Sequence, residues 1–484
     1  MDNNQTTHIA LLPSPGMGHL IPIIQLAKHL LHRHHISSTI IIPSSTPPSP
    51  TITTLLQSLP KPINHILLPP ILDLPTDSKS ESQIFLTVIR SLPSLRQTLA
   101  ALLRYTGTGS GLAALVVDPF SLPAFDVARE LGLKPYLFFT AGAMTLSFCF
   151  HLPKLDKMVT CEYRDLTDPI ELPGCVPLHG RDLLDPVQDR SNDAYKHVLG
   201  NVERFASAEG VIVNSFLDLE EGAIKALEME EKGKPPVYAV GPLVQTGSGF
   251  ESDRPECLKW LDGQPAGSVL FVSFGSGGTL SHAQIKELAL GLEMSGQRFL
   301  WVARSPNEKA NAAYFAKAAY FGDQGQNDPL SYLPDGFLER TKGMGMVAPS
   351  WAPQIEVLGH GSTGGFLTHC GWNSILESTV HGVPLIAWPL YAEQKMNASM
   401  LTEGVKVALR PKPNENGIAD ENGIVGREEI ARVVRDLMEG DDGTKVRLRM
   451  QGLKHAAAKA LSEDGSSSKS LSSLAFRLKN SRNI

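Results

Sequence analysis

One segment late in the chain combines side chains that suit the binding of a phosphorylated ligand. Residues 351–394 read WAPQIEVLGHGSTGGFLTHCGWNSILESTVHGVPLIAWPLYAEQ, in which glycine-containing turns lead into a helix predicted over 373–380. Asn373 and Ser374 would lie at the N-terminus of this helix, where unpaired N–H groups and the helix dipole favour an anion. His369 would add another donor, so the segment predicts a diphosphate site.

The same segment could bind the other parts of a sugar nucleotide. Glu377 lies four residues after Asn373, on the same helix face, where its carboxylate could accept hydrogen bonds from a ribose diol. Trp351 offers a flat apolar face for a base, and Glu393 with Gln394 follows the next predicted strand, where both could bind sugar hydroxyls. Each residue alone also fits a capped core helix with incidental polar side chains. The whole set at this spacing favours a nucleotide-sugar site.

A second candidate site pairs His19 with Asp118. His19 follows a glycine loop at the start of a predicted helix, where the dipole disfavours an added positive charge and leaves the imidazole able to act as a base. Asp118 ends a later strand, and the carboxyl ends of parallel strands meet at one edge of a sheet. A carboxylate behind the histidine would fix its tautomer and stabilise the imidazolium. Taken alone, each residue also fits a helix cap or a turn.

The elements that must position these residues alternate between β-branched strands and amphipathic helices. This alternation restarts after a Gly-, Ser- and Pro-rich stretch at 238–250, which predicts a linker. We therefore expect an α/β protein with two doubly wound, Rossmann-like domains of mostly parallel sheet that face a central cleft, and a flexible insertion at 305–330. The predicted strands are 8–12, 38–42, 112–117, 136–139, 210–214, 268–274, 299–303, 361–367 and 384–388, and the predicted helices are 19–32, 123–131, 281–294, 373–380, 427–438, 444–461 and 467–476.

Composition restricts the class of protein. The 484 residues include 44 Lys and Arg against 50 Asp and Glu, without a basic cluster, so we expect no nucleic-acid partner. Five cysteines without a C-x-x-C pair argue against a disulfide scaffold or a structural zinc site and favour a reducing compartment. The polar N-terminus lacks the regions of a signal peptide, and the longest apolar stretch, 136–152, is short for a membrane span and predicts a buried strand and helix. We expect a cytoplasmic protein without a membrane span.

Several common nucleotide and hydrolase motifs are missing. The glycine loops at 16–21 and 275–280 lack the third glycine of a dinucleotide fingerprint. The sequence contains no G-x-x-x-x-G-K-[ST] phosphate loop, no G-x-S-x-G nucleophile elbow and no H-E-x-x-H metal motif. A nicotinamide-dependent oxidoreductase on two Rossmann lobes and a sugar-nucleotide sensor without catalysis remain as alternatives.

Residues 351–394 resemble, over their full length, the signature of plant secondary-product glycosyltransferases. The chain from LLPSPGMGHL to the C-terminal helix resembles plant family-one UDP-glycosyltransferases of the GT-B type, and FVSFGSGGTLS, DPLSYLPDGFLERTKG and PLYAEQKMNA are similar to the hydroquinone glucosyltransferase, or arbutin synthase, branch. The resemblance implies an acceptor-binding domain (1–240), a linker (241–255), a UDP-sugar-binding domain (256–460) and a C-terminal helix (461–484) that packs back on the N-terminal domain.

The resemblance also implies roles for individual residues, with His19 and Asp118 as the catalytic dyad. Many relatives carry Asp where this chain has Glu393, which changes the reach of the carboxylate, and Gln394 at the end of the signature is associated with glucose donors. The implied donor site comprises residues for the uracil and ribose (Trp351, Ala352, Gln354, Glu377), for the diphosphate (Ser276, His369, Asn373, Ser374) and for the sugar (Thr140, Trp372, Ala392, Glu393, Gln394).

The expected reaction is inverting transfer of glucose from UDP-glucose, a co-substrate, to a small aromatic hydroxyl, without a permanently bound cofactor or an obligatory metal. Hydroquinone-like phenols, monolignols and indoxyl-type hydroxyls fit as acceptors, and anilines would give N-glucosides. The expected setting is plant secondary metabolism or xenobiotic detoxification. UDP-xylose, UDP-galactose or UDP-glucuronate remain alternative donors, and we expect a monomer. The acceptor site would use His19 together with the apolar residues Met17, Phe120, Phe148 and Leu183.

Overall fold

The computed structural model describes residues 7–75, 80–105, 111–229, 231–245, 254–307, 328–412 and 423–480. The chain forms two compact units. Unit 1 comprises Met1–Arg181, Pro186–Gln245 and Lys459–Ile484, and unit 2 comprises Asp182–Asp185 and Thr246–Ala458.

Unit 1 is built on a parallel sheet that has seven strands among the described residues. The sequences of its central strands, HIALL and LAALVV, are buried throughout, as expected for a parallel sheet covered on both faces. The strands are β1 His8–Leu12, β2 Ser37–Ile42, β3 Ile63–Leu67, β4 Leu112–Val117, β5 Lys134–Phe139, β6 Gly210–Val213 and β7 Val237–Ala239. Their order is β3-β2-β1-β4-β5-β6-β7, so the chain reverses its direction of travel across the sheet between β1 and β4. Ligands of such sheets bind beyond the carboxyl ends of the strands at this point.

Helices connect these strands, and their apolar faces complete the core of unit 1. In the first of them, Ile23, Leu26 and Leu30 recur at helical spacing and are completely buried. The helices of the first half of the chain are α1 Met17–His34, α2 Pro50–Gln57, α3 Ser80–Tyr105, α4 Ala124–Glu130, α5 Ala143–Met158, α6 Asp193–Phe205 and α7 Glu221–Glu228.

Unit 2 repeats the architecture with a six-stranded parallel sheet of described residues in the order β10-β9-β8-β11-β12-β13. The reversal in strand order now falls between β8 and β11, whose ends pair at Ser273 and Thr368. The strands are β8 Val269–Ser273, β9 Arg298–Ala303, β10 Gly345–Pro349, β11 Thr363–Thr368, β12 Leu385–Ala387 and β13 Ala408–Leu409, and the helices are α8 Glu256–Asp262, α9 His282–Ser295, α10 Phe337–Arg340, α11 Gln354–Gly359, α12 Trp372–His381, α13 Gln394–Ser399, α14 Arg427–Glu439 and α15 Asp441–Ala460.

The C-terminal helix, α16 Ser466–Asn480, belongs to unit 1. It contacts α1 and β7, and its residues Leu471, Leu474 and Leu478 are buried in the core of that unit. Arg33 at the end of α1 donates a hydrogen bond to the Ser468 hydroxyl and so ties the two helices together.

The predicted elements are confirmed where hydrophobic periodicity is strong, with shifts of a few residues at the ends, and the stretch 136–152 forms a strand and a buried helix as predicted. The predicted linker at 238–250 is wrong at its start, because Tyr238 lies in β7 and residues 240–243 are buried. Burial of Val240 and Leu243 outweighs the glycine and proline between them. Residues 246–250 of that linker and 308–327 of the predicted insertion lie outside the described residues.

Three observations bear on the class of protein. No helix in the described part of the chain combines the length and apolar character needed to cross a bilayer. All five cysteines are free thiols. Over the same described residues, no group of three or more His, Cys, Asp or Glu side chains is arranged to hold a metal ion.

Candidate active site

The two central strands of unit 1 bring His19 and Asp118 together. β1 and β4 pair in parallel with Leu12 beside Val117, so the loops that follow them leave the same edge of the sheet. Gly16 has a φ of 127°, which favours glycine, and α1 begins directly after it. The Nδ1 atom of His19, in the first turn of α1, lies 2.8 Å from Oδ2 of Asp118, as the positions of the two strand ends predicted.

The Asp118 carboxylate is completely buried and surrounded by donors. Its Oδ2 accepts hydrogen bonds from the Ser14 backbone N–H at 2.8 Å and the Ser14 hydroxyl at 2.5 Å, in addition to the contact with His19. Its Oδ1 accepts the Ser121 N–H at 3.1 Å. Burial acts to raise the pKa of Asp118, but His19 and the donors of Ser14 outweigh it and hold this pKa below its usual range. The carboxylate is therefore ionised at neutral pH.

This arrangement fixes the tautomer of His19. Because Nδ1 faces a carboxylate, Nδ1 carries the proton and Nε2 has a free lone pair, which is the state of a general base. The Thr140 hydroxyl, at the carboxyl end of β5, lies 3.4 Å from the same Nδ1 atom. The imidazole keeps 22% of its surface exposed, and the Phe120 ring packs edge-on against it at a centroid distance of 5.4 Å.

The four apolar acceptor candidates divide into two groups. Met17 and Phe120 are partly exposed, and Phe120 contacts His19. Phe148 and Leu183 are completely buried, and their place in an acceptor site stays a prediction. Phe148 lies in the core-facing part of α5, and Leu183 belongs to the short segment of unit 2.

In unit 2, His369 lies directly after β11, and two glycines enclose its ring. A Cβ atom built on Gly275 would lie 2.5 Å from the imidazole, and one built on Gly371 would lie 2.4 Å from it, so a larger residue at either position would displace the ring. Burial and the positive charge of Arg304 lower the pKa of His369 to about 4, which leaves the ring neutral. Its buried Nδ1 atom has no hydrogen-bond partner in the described structure, as expected of a group that donates to a ligand. Arg304 also donates to the Ser276 carbonyl, at 2.5 Å, in the glycine loop after β8.

The start of α12 brings three of the predicted donor residues together. Gln354, at the start of α11, donates from Nε2 to the Ser374 hydroxyl at 2.9 Å and to Oε2 of Glu377 at 2.7 Å. Burial raises the pKa of Glu377 to about 7, against the hydrogen bond from Gln354. This carboxylate is thus poorly stabilised as an anion, and two further hydroxyl donors, such as those of a ribose diol, would stabilise it.

The remaining donor candidates of this region occupy distinct surroundings. Trp351 is 58% exposed, which is unusual for a large aromatic side chain and leaves a face for stacking. It follows Ser350, whose φ of 65° turns the chain sharply after β10. Asn373 is half-buried in the first turn of α12, whereas Ala352 and Trp372 are buried.

A turn after β12 carries Ala392, Glu393 and Gln394. Gln394 uses its side-chain oxygen to accept the N–H groups of Leu390 at 2.9 Å and Tyr391 at 3.0 Å, so its NH₂ group is the part that remains for a sugar hydroxyl. Ala392 has a φ of 56°, in the left-handed region. The NH₂ group of Asn397 donates to the Cys370 carbonyl at 2.9 Å and to Glu393 at 3.3 Å, and it thereby links this turn to the turn that follows His369.

The sequence reasoning missed several of these supporting residues. Ser14 stands two positions after the end of β1, in the loop that leads to His19, a signal that could have identified it. Asp185, whose carboxylate accepts the Ala392 N–H at 2.8 Å, gave no signal, because its partner lies far away in the sequence.

Each of the two α/β units is built on a parallel sheet, as in GT-B glycosyltransferases. One unit contains a His–Asp pair, and the other contains a buried neutral histidine and a carboxylate at a helix start. Residues 254–413 match the family model for UDP-glucoronosyl and UDP-glucosyl transferases. The hydroquinone glucosyltransferase of Rauvolfia serpentina is 59% identical over 477 residues, 98% of each chain. This chain therefore belongs to the UDP-glucoronosyl and UDP-glucosyl transferase family and is a glycosyltransferase.

Solved structures agree with this assignment. A UDP-glucosyltransferase from Polygonum tinctorium capable of glucosylating indoxyl, solved as a complex with 3,4-dichloroaniline, is 54% identical, with a TM-score of 0.87 over 98% of this chain and 99% of that chain. Phytolacca americana UGT2, solved with UDP-2fluoro-glucose and pterostilbene, is 50% identical, with a TM-score of 0.86 over 98% and 99%. The predicted fold class is confirmed. Family membership also removes the two alternatives, an oxidoreductase and a sensor without catalysis.

Proposed function

We propose that the protein is an inverting glucosyltransferase that moves glucose from UDP-glucose to small aromatic hydroxyls. The observation that carries the proposal is the arrangement of His19, Asp118 and Ser14, in which a buried ionised carboxylate directs a histidine to act as a base. The names of similar proteins support the acceptor class, since one acts on hydroquinone and another on indoxyl.

The catalytic step is a single displacement. A phenolic hydroxyl has a pKa of about 10 and is mostly protonated at neutral pH. Nε2 of His19 takes the hydroxyl proton as the oxygen forms its bond to the anomeric carbon, and Asp118 stabilises the imidazolium that results. The bond between the anomeric carbon and the UDP oxygen breaks, UDP leaves with the electron pair, and the α-linked donor gives a β-glucoside.

The donor would be bound by residues of unit 2. Trp351 would stack on uracil beside Ala352, while Glu377 and Gln354 would bind the ribose. The diphosphate and the leaving UDP would be stabilised by the unpaired Nδ1 of His369 and by the donors at the start of α12, Asn373 and Ser374, with Ser276 and the N–H groups of its loop. Within this proposal, no obligatory metal takes part.

The sugar would be bound by Glu393 and the NH₂ group of Gln394, with Ala392 and Trp372 beside it and Thr140 near the transferred group. The acceptor ring would contact Phe120 and Met17 next to His19. This apolar edge suits hydroquinone-like phenols, monolignols and indoxyl. Anilines would attack through nitrogen and give N-glucosides.

The decisive experiment determines the anomeric configuration of the product. Purified protein is incubated with UDP-glucose and hydroquinone, with and without EDTA, and the glucoside is analysed by proton NMR. We expect a β-glucoside at the same rate in both samples. An α-glucoside would overturn the inverting mechanism, and a loss of activity in EDTA that Mg²⁺ restores would overturn the metal-free scheme.

Two variants relate the activity to the proposed base. His19→Ala removes the base and should reduce kcat with hydroquinone by at least about a hundredfold, because general-base catalysis contributes roughly that much. His32→Ala, on the exposed side of the same helix, is the matched control and should retain normal kinetics. A fully active His19→Ala variant would contradict the proposal.

A further inference from the structure

A short segment from the first half of the sequence is built into the turn that carries Glu393 and Gln394. Residues Asp182–Asp185 pack with unit 2, although the chain on both sides of them belongs to unit 1. Asp182 faces Arg410 at 3.9 Å, and the segment ends at Asp185.

Asp185 forms hydrogen bonds with both backbone groups of Ala392. Oδ2 of Asp185 accepts the Ala392 N–H at 2.8 Å, and the backbone N–H of Asp185 donates to the Ala392 carbonyl at 3.2 Å. The N–H and the carbonyl of Ala392 are thus both bound by Asp185. A hydrogen bond that involves an ionised carboxylate is stronger than one between neutral groups.

Ala392 needs such support because of its conformation. Its φ of 56° lies in the left-handed region, where a residue with a Cβ atom is strained by roughly 1 kcal/mol relative to glycine. If the support were lost, Ala392 would relax toward a right-handed conformation. This relaxation would rotate the peptide that leads into Glu393 and redirect the side chains that follow.

The rest of the turn is held independently. The side-chain oxygen of Gln394 accepts the N–H groups of Leu390 and Tyr391, and Asn397 donates to Glu393. The entrance to the turn and the start of α13 are therefore fixed from within unit 2. The Gln394 N–H also donates to the Tyr391 carbonyl at 3.2 Å and closes the turn, and Asp185 adds the hydrogen bonds to both backbone groups of Ala392.

From these contacts we infer that Asp185 is a positioning residue for sugar recognition, because it holds Ala392 in the left-handed conformation that presents Glu393 and Gln394 to the donor sugar. The inference rests on the proposed function in one respect, namely that Glu393 and Gln394 bind the sugar of the donor.

The test separates sugar binding from nucleotide and acceptor binding. Asp185→Ala should raise KM for UDP-glucose by about tenfold, the loss expected for one charge-assisted hydrogen bond, and should reduce the preference for UDP-glucose over UDP-galactose. The inhibition constant of UDP, which lacks the sugar, and KM for hydroquinone should stay within about twofold of the unmodified protein. Asp185→Asn, which keeps an acceptor for the Ala392 N–H, should restore most of the donor affinity.

A double variant tests the mechanism directly. Glycine adopts a positive φ without strain, so Asp185→Ala combined with Ala392→Gly should have a lower KM for UDP-glucose than Asp185→Ala alone. Asp182→Asn removes a carboxylate from the same segment that faces Arg410 instead of the turn, and this matched control should leave donor KM within about twofold. Asp185→Ser is the second truncation if the alanine variant does not fold.

Glu393→Ala and Gln394→Ala separate the two possible failures. If neither variant raises KM for UDP-glucose, the assignment of the sugar site in the proposed function is wrong. If both raise it and Asp185→Ala does not, the role of Asp185 is overturned while the proposed function stands. An equal change in donor KM, acceptor KM and UDP inhibition in Asp185→Ala would also overturn it, because a general loss of structure would explain that result.

Discussion

Replacement of Asp118 by asparagine would remove the charge behind His19 with little change in shape. Nδ1 and Oδ2 are 2.8 Å apart, so the centres of an imidazolium and the carboxylate would lie about 4 Å apart, where an effective dielectric constant of about 20 gives roughly 4 kcal/mol. This figure corresponds to about a thousandfold in rate. The two hydrogen bonds from Ser14 to Oδ2 already stabilise the negative charge and weaken its effect on His19. We therefore expect Asp118→Asn to reduce kcat with hydroquinone by about a hundred- to a thousandfold.

The amide would also fit the site poorly. Three donors converge on Oδ2, so the asparagine oxygen would take that place and its NH₂ group would face the Ser121 N–H, which Oδ1 accepts at 3.1 Å in the unmodified protein. Two donors would then face each other in a buried site. Thermal unfolding should therefore show a lower Tm for Asp118→Asn, and kinetics must be measured well below that temperature.

The assay compares two acceptors that differ in acidity. Hydroquinone needs a base, whereas a nitrophenol that is largely ionised at pH 8 does not, so the loss in kcat should be much smaller with the nitrophenol. Asp126→Asn, an exposed aspartate that pairs with Arg204, is the matched control and should retain both activities. An equal loss with both acceptors, or a loss below about tenfold with hydroquinone in a folded variant, would refute the assignment of Asp118 to the base.

Three further perturbations give signed outcomes. Burial raises the pKa of Glu377 to about 7, and ribose hydroxyls would stabilise its ionised form. Binding of UDP-glucose, whose doubly esterified diphosphate does not titrate near neutral pH, should therefore release protons and tighten as the pH rises from about 6 to 8. Calorimetry in two buffers should detect the release, which Glu377→Gln should abolish. Gly275→Ala would place a Cβ atom 2.5 Å from the His369 ring and should raise both KM for UDP-glucose and the inhibition constant of UDP. The control Gly267→Ala has a similar φ and no atom within 4 Å of its Cβ, so it should affect stability alone. Equal effects of the two variants on donor binding would contradict the role of the enclosed ring. The folded-state pKa of Asp118 lies below its unfolded value of about 4, so its contribution to stability is present above that value and is lost as the pH falls through the folded value. Ser14→Ala should therefore lower the free energy of unfolding at pH 7 by about 1 kcal/mol, and a difference that persists undiminished in strong acid would contradict this origin.

The sequence was sufficient for features that depend on periodicity and strand order. Strand β4 and, after His8, strand β1 are apolar runs. Residues that follow the ends of neighbouring parallel strands must lie close together, which is why the contact between His19 and Asp118 could be predicted. The same logic placed Asn373 and Ser374 at a helix start. The resemblance implied only that Gln354 lies near the base and ribose, and its hydrogen bonds to Ser374 and Glu377 were not predicted.

Other features depend on contacts that no local pattern encodes. Asp185 and Ala392 are distant in the sequence, and the left-handed conformation of Ala392 has no signal in its residue type. The start of the predicted linker was wrong because tertiary burial of Tyr238 overrides the turn signals that follow it. A phenylalanine such as Phe148 suits a pocket and a core alike, so its residue type does not reveal its complete burial.

The location of α16 has a consequence for biosynthesis. Unit 1 begins at the first residues of the chain, yet its core includes Leu471, Leu474 and Leu478 near the end. A ribosome that makes this chain from the N-terminus therefore completes the long contiguous part of unit 2 before unit 1 can close its core. The half of the protein that carries His19 is thus synthesised early but becomes fully packed late, and removal of the last helix would expose apolar surface of α1 and β7 in the opposite half of the sequence.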